Sequence, residues 1–266
     1  MTSAGRSVPT DGGFAILRMY DLPEIRDAVG AFWGAVAAPL DADPDPVWAG
    51  DLGSQLLDTR LVLGQTCSWP LLIRLGVRVT VVGGFGYTRP EWETGPIYRS
   101  VLIARESRPL AEFAGGVASL NSYESTSGWL SLANAVAPYA AGHPFFGEVV
   151  LSGGHPGSMA MVREGRADVA AIDGVTYRLF ERYKPDLVEG LVEVGHGPEV
   201  PTLPLVTGRD DPEPVRRAIA TAVADPDLAL ALDQLMIESF HPLDHADFEW
   251  VRDMGQAAMT ILPPPS

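Results

Sequence analysis

The chain has 266 residues, 46% hydrophobic and 20% charged, enough to bury a core in one large domain or two small ones and too apolar for a disordered protein. A formal net charge of −15 argues against wrapping nucleic acid or lying on an anionic membrane, though local donors can still hold a small anion. The single cysteine, Cys67, excludes an internal disulfide, no Cys/His group has zinc-site spacing, and no run is long and apolar enough to span a bilayer, so neither metal, cofactor nor membrane insertion is expected.

The first fourteen residues, up to Phe14, are polar and lack an apolar signal core. Ala15–Met19 reads as a strand, ended by Tyr20-Asp21-Leu22-Pro23. Glu24–Val36 then has helical period, with Ile25, Ala28, Val29, Phe32 and Val36 near one face. Tyr20 sits at this strand-to-helix junction and either lines a cleft or edges the core. Asp51–Asp58 suggests a short helix and Leu61–Leu63 a strand. The loop after it carries Gln65, Thr66 and Ser68, polar side chains at a strand end, where ligands sit in parallel sheets, and Cys67 is read there as a buried thiol. Leu71–Leu75 reads as a helix, Val77–Gly83 as a strand and Gly83–Tyr87 as a flexible turn. Arg89–Gly95 is irregular, and Ile97–Ala104 is a strand that starts polar and turns apolar. The alternation predicts an α/β fold with a mainly parallel sheet.

The stretch from Val117 carries the chemistry. Val117–Leu120 is a strand feeding Ser125-Thr126-Ser127-Gly128, and an apolar helical run, Trp129–Val136, follows. Three hydroxyls at a helix start, where backbone N–H groups are unpaired and the dipole is positive, suit an oxyanion; the competing reading is an ordinary Ser/Thr N-cap. Phe145–Leu151 reads as a strand, His155 falls in a Gly-rich loop, Ser158–Glu164 is a helix closed by Gly165, and Asp168–Ile172 is a strand with Asp173 at its end. Polar groups thus recur at three strand-to-helix junctions. Val175–Tyr183 reads as a helix with Arg178 and Arg182 on its surface, Gly195–Pro204 as a hinge or crossing segment, and Val215–Ala224 and Asp227–Met236 as helices. Leu243–Thr260 is helical in part, and the Pro-rich end is expected to fray.

Ser127, His155 and Asp173 are the residue types of a nucleophile, base and orienter, but no Gly-x-Ser-x-Gly elbow surrounds the serines. Gly83–Gly86 lacks the dinucleotide fingerprint, no Walker-type loop is present, and Glu91, Glu93 and Glu124 read as solvated.

The run Ser125–Gly128, followed by Gly154-His155, Gly165, Asp168 and Asp173, resembles the phosphate/phosphite/phosphonate-binding proteins of ABC transporters, the PhnD-like family. Tyr98-Arg99-Ser100-Val101 resembles that family's crossover strand and Pro201–Leu205 its return hinge, so that the likeness covers roughly Phe14–Ala224. The resemblance implies a two-lobe type II periplasmic-binding-protein fold with two crossover hinge strands. By that resemblance residues 1–97 with 204–266 would form lobe one, and 98–203 lobe two. It implies that Ser125, Thr126 and Ser127 hold an oxyanion in an interlobe cleft that closes on it, with His155, Asp173, Tyr20 and Tyr98 lining it. Gln65, Thr66 and Ser68 join them by the loop argument alone. The expected protein is a monomeric, non-enzymatic solute-binding protein for a small anion, partnered by an ABC transporter permease. Asp173 would meet either a proton on the ligand or a cationic tail such as an amine. The same fold also occurs in cytoplasmic enzymes of the alternative menaquinone route, acting on chorismate-derived carboxylates; these and a non-transport sensor are the alternative readings. The location is periplasmic or extracellular if an export signal has been removed, and cytoplasmic if the chain is native as it stands.

Overall fold

In chain order the strands are β1 (Phe14–Ile16), β2 (Leu61–Gln65), β3 (Thr80–Tyr87), β4 (Ile97–Tyr98), β5 (Ser100–Ala104), β6 (Val117–Leu120), β7 (Glu148–Leu151), β8 (Val169–Asp173), β9 (Val192–His196), β10 (Val200–Pro201), β11 (Leu205–Thr207) and β12 (Ile237–His241). They come from a computed structural model that describes residues 12–88 and 95–265; Glu91 and Glu93 lie outside the described residues, as do most of Arg89–Gly95 and of the first fourteen residues. The chain divides into two compact units, one made of the chain up to Ile97 with Pro201–Glu249, the other of Tyr98–Val200 with the chain from Trp250 on. The divisions at 97/98 and 200/201 fall within β4 and β10, which pair as a two-stranded sheet.

The first unit holds a five-stranded sheet in the order β1-β2-β11-β3-β12. β1 and β2 are parallel, whereas β11 is antiparallel to β2 and β3, and β12 is antiparallel to β3. The helix Arg26–Ala37 packs on the helices Glu213–Val223 and Ala229–Gln234, and buries Ala28, Val29, Phe32 and Val36, the face its period marked, together with Trp33. The Trp33 indole N–H donates to the Asp43 carbonyl at 2.8 Å, so this large ring is buried without an orphaned donor.

Gly83–Tyr87 is strand, not a turn. A β-carbon at Gly83, Gly84 or Gly86 would overlap the His241 carbonyl, the Thr202 side chain or the Ser239 hydroxyl, respectively. These glycines therefore admit close neighbours on a buried strand. The neighbours are Thr202 and β12, which sequence periodicity did not reveal. Phe85 lies edge-on to Phe32, Tyr87 and Phe240, an aromatic cluster that fixes the pairing.

The second unit holds the sheet β7-β6-β8-β5-β9. β6 is parallel to β7 and β8, and β5 is antiparallel to both β8 and β9. Both sheets are thus mixed rather than mainly parallel, because the segment that crosses into each unit, β11 in the first and β5 in the second, runs against its βαβ strands. The C-terminal helix Val251–Ile261 packs on Ser131–Val136 in this unit, whereas the sequence reading assigned 204–266 to the other. The Trp129 indole donates to the Leu262 carbonyl at 2.7 Å, the Asn134 amide donates to the Met254 carbonyl at 3.0 Å, and the Phe145 N–H donates to the Ile261 carbonyl at 3.1 Å. Leu262 is buried, so the chain is docked up to that point, and the Pro-rich end lies beyond it. Among the described residues no helix is long and apolar enough to cross a membrane.

Candidate functional site

In the second unit β7, β6 and β8 run side by side in one direction, so their carboxyl ends lie along one edge of the sheet. Each of these strands feeds a helix. β6 leads to Thr126–Leu130, which continues as Ser131–Val136; β7 leads to His155–Arg163; β8 leads directly to Gly174–Tyr183. Three helix starts, each with unpaired N–H groups, therefore share one edge.

Ser125 is the N-cap of the first of them. Its backbone is extended (φ −91°, ψ 126°), and its hydroxyl accepts the Gly128 N–H at 2.9 Å. The first turn is wound wide: the Ser125 carbonyl accepts from both Trp129 and Leu130 at 3.2 Å, an i→i+5 pattern frequent at functional sites. A β-carbon at Gly128 would overlap Asn121 Oδ1 and lie 3.2 Å from Ser125 Oγ, so any larger residue here would have to displace the Asn121 side chain. The N-cap reading and the donor-cluster reading thus fall on different serines. Ser125 caps the helix, and Ser127, two residues on, turns its hydroxyl toward the neighbouring helix.

Ser127 Oγ lies 3.3 Å from Ser125 Oγ and 3.0 Å from His155 Nε2. Ser125, Thr126 and Ser127 are all buried. His155 is the first residue of its helix and not part of a loop, because Gly154 and Pro156 start the helix earlier than the apolar pattern does. Its Nε2 also receives the Asp173 backbone N–H at 3.4 Å. An amide can only donate, so Nε2 is an acceptor in this contact and the ring proton sits on Nδ1. Burial pushes the His155 pKa down to about 4, so the imidazole is neutral at pH 7. Asp173, the last residue of β8, is buried and caps the next helix, its Oδ1 accepting the Thr176 N–H at 2.9 Å.

This geometry brings together Ser125, Ser127, His155 and Asp173, with Thr126 on the same turn. It does not form a charge-relay triad. His155 Nδ1 is buried without a hydrogen-bond partner, and Asp173 meets the imidazole through its backbone N–H. Beneath the His155 helix, Ser158 Oγ meets Ser152 Oγ at 2.7 Å and Ser119 Oγ at 3.2 Å, a serine network that fixes the helix start on the sheet. Sequence reading missed these serines, which show neither periodicity nor motif. Glu124 is half-buried beside the cap, with its N–H donating to Ser122 Oγ at 2.9 Å, rather than fully solvated.

The remaining candidates are placed as follows. In the first unit Gln65 ends β2 and is not in a loop; its amide donates to the Tyr87 hydroxyl at 3.3 Å. Tyr20 stands edge-on to Tyr87 with ring centroids 5.8 Å apart. The Thr66 N–H donates to the Pro204 carbonyl at 3.1 Å, and Ser68, fully buried, opens the short helix Ser68–Pro70. Cys67, between them, is half-buried and not a core thiol. Tyr87 joins this group unannounced; its only sequence signal is its place at the carboxyl end of an apolar strand. Tyr98, on β4, is buried in the second unit. Arg178 is mostly buried rather than on the surface, clasped at 2.7 Å by both Glu181 and Glu193. Among the described residues no three His, Cys, Asp or Glu side chains converge as a metal site.

Residues 88–248, more than half of the chain, match the family described as "ABC transporter, phosphonate, periplasmic substrate-binding protein". The fold is that of PhnD1 from Prochlorococcus marinus, solved in complex with methylphosphonate (TM-score 0.72, 13% identity, covering 94% of this chain and 98% of that one). It is equally that of a binding protein component of an ABC phosphonate transporter from Pseudomonas aeruginosa (TM-score 0.72, 16% identity, covering 94% and 87%). A Xanthomonas citri protein solved with chloride is similar at TM-score 0.66 and 17% identity, covering 92% of this chain and 95% of that one. No curated protein matches the chain in sequence. These likenesses give an α/β architecture of the type II periplasmic-binding-protein class, and by the family match the chain belongs to the periplasmic substrate-binding proteins of phosphonate ABC transporters, a family of solute-binding proteins.

Proposed function

We propose that the cluster at the carboxyl edge of the second unit's sheet holds a small tetrahedral oxyanion of the phosphonate, phosphite or phosphate type. The observation that carries this reading is the buried Ser127–His155 contact beside the capped helix start at Ser125. Hydroxyl and backbone N–H donors converge there, and His155 is neutral, so an anion would be held by dipoles and hydrogen bonds, not by a buried cation. Thr126 supplies a donor, Ser127 turns its one hydroxyl proton from the acceptor His155 Nε2 to the ligand, and Asp173 accepts from a protonated oxygen or an amine of the ligand. The methylphosphonate complex of PhnD1 supports this ligand class, and the family match supports delivery to an ABC transporter permease. Tyr20, Tyr98, Gln65, Thr66 and Ser68 are further contact candidates.

Titration calorimetry against phosphate, phosphite, methylphosphonate, 2-aminoethylphosphonate, sulfate and simple carboxylates tests the proposal. At least one phosphorus oxyanion binds more tightly than any carboxylate. Tight binding of a neutral sugar or an amine, with none of these anions bound, would refute it.

A further inference from the structure

Asn121 lies between β6 and the Ser125 cap. Its Oδ1 is buried, and no hydrogen-bond donor reaches it. It sits against Gly128 on the first turn of the helix: the point a Gly128 β-carbon would occupy is overlapped by Asn121 Oδ1 and is 3.2 Å from Ser125 Oγ. The Gly128 N–H is already taken by Ser125 Oγ. The sequence thus holds a glycine where it lets a carboxamide oxygen press against the donor cluster, then leaves that oxygen unsatisfied. A buried acceptor without a donor is costly, and one facing an anion's oxygens would repel them. A ligand oxygen that carries its own proton removes both penalties.

On the reading that this cluster holds a tetrahedral oxyanion, we propose that Asn121 Oδ1 accepts a hydrogen bond from a protonated ligand oxygen, so that the site takes the singly protonated phosphonate or phosphite in preference to an anion of the same shape and charge without that proton. The neutral imidazole of His155 and the buried side chain of Asp173 point the same way. Neither adds positive charge to balance a second negative charge on the ligand.

Methylphosphonate and methanesulfonate form the deciding pair. Below the second ionisation of methylphosphonate both are tetrahedral monoanions bearing one methyl group, and they differ by one hydroxyl proton. The native protein binds methylphosphonate about 10- to 100-fold more tightly than methanesulfonate in calorimetry, because a site built around a ligand hydroxyl rejects the analogue lacking it. Asn121→Leu, which keeps the bulk and removes the acceptor, lowers methylphosphonate affinity and brings the two ligands to within a few-fold of one another. Should Asn121→Leu fail to fold, Asn121→Ala makes the same deletion without added apolar bulk. Three results overturn the inference: native protein that does not discriminate, an Asn121→Leu protein that discriminates as well as the native one, or one that loses both ligands equally, which would make Asn121 a donor. Persistence of discrimination in Asn121→Leu with its loss in Asp173→Asn would assign the acceptor to Asp173 instead. Ser127→Ala separates this from the parent reading. If it leaves both ligands untouched, the cluster is not the site. If it weakens both while Asn121→Leu changes nothing, only the role of Asn121 falls.

Discussion

Ser125 and Ser127 stand two residues apart in one run, and the structure gives them different work, which replacing each by alanine should expose. Ser125 Oγ accepts the Gly128 N–H at 2.9 Å as a helix N-cap. Losing such a cap costs about 0.5–2 kcal/mol of stability. At about 2–4 °C per kcal/mol for a chain of this size, Ser125→Ala lowers the melting temperature by several degrees. Ser127 Oγ makes no cap; it is 2% exposed and reaches His155 Nε2 at 3.0 Å. In Ser127→Ala the imidazole keeps the Asp173 N–H at 3.4 Å, so the fold loses about 1 kcal/mol at most. With the Ser127 proton turned from His155 Nε2 to the ligand, the bound state loses a desolvated hydrogen bond worth about 1–3 kcal/mol, and affinity falls about five- to 150-fold. Calorimetry with methylphosphonate alongside thermal melts reads both effects. If Ser127→Ala destabilises as much as Ser125→Ala and leaves the dissociation constant unchanged, both serines are capping residues and the proposed site is wrong.

Two further outcomes are expected. The folded-state pKa of His155, about 4, lies below its ordinary value of 6.5, so between these values the unfolded chain binds more protons than the folded one. The resulting stability, at most about 3 kcal/mol, is complete above pH 6.5 and is lost as pH falls toward 4. Thermal melts across this window should show a shallower fall for His155→Gln than for the native protein; identical profiles would mean that the imidazole is not buried as described. Gly128→Ala should destabilise by at least 1 kcal/mol and weaken oxyanion binding, although alanine is about 1 kcal/mol the better helix former, because its methyl group would overlap Asn121 Oδ1. A denaturant titration showing a gain in stability would contradict the packing described at that turn.

The second unit was readable from sequence because its pattern is local. Val117–Leu120 was delimited as it stands, and the order strand, cluster, helix, strand, His, helix, strand, Asp needed only short-range signals. What local pattern could not supply was pairing. Nothing in Gly83–Tyr87 announces a strand, since its glycines are there for partners distant in sequence, at Thr202 and on β12. The placement of Val251–Ile261 in the second unit likewise rests on Trp129 and Asn134, more than a hundred residues away. Antiparallel strands entered both sheets for the same reason: strand direction is set by where the chain crosses between units, which helical or strand period does not record.

The candidate site repeats that division at finer scale. The types of residue were legible, because hydroxyls ahead of an apolar helical run carry a donor signature whatever surrounds them. Their roles were not, since a role depends on which neighbour the sheet order supplies. The β6–β7 pairing accounts for a hydroxyl from Ser127 within hydrogen-bonding distance of a histidine 28 residues on, and the β6–β8 pairing puts the Asp173 amide on the same nitrogen. That second contact decides the chemistry. An imidazole nitrogen that already accepts an amide proton, in a ring whose other nitrogen meets no carboxylate, is poorly placed to act as the base of a nucleophilic serine. It is well placed to hold a hydroxyl in one orientation. A run that in isolation suits either catalysis or binding is thereby biased to binding by its fold, and the bias rests on the Asp173 backbone N–H, which no reading of side chains along the sequence would have picked out.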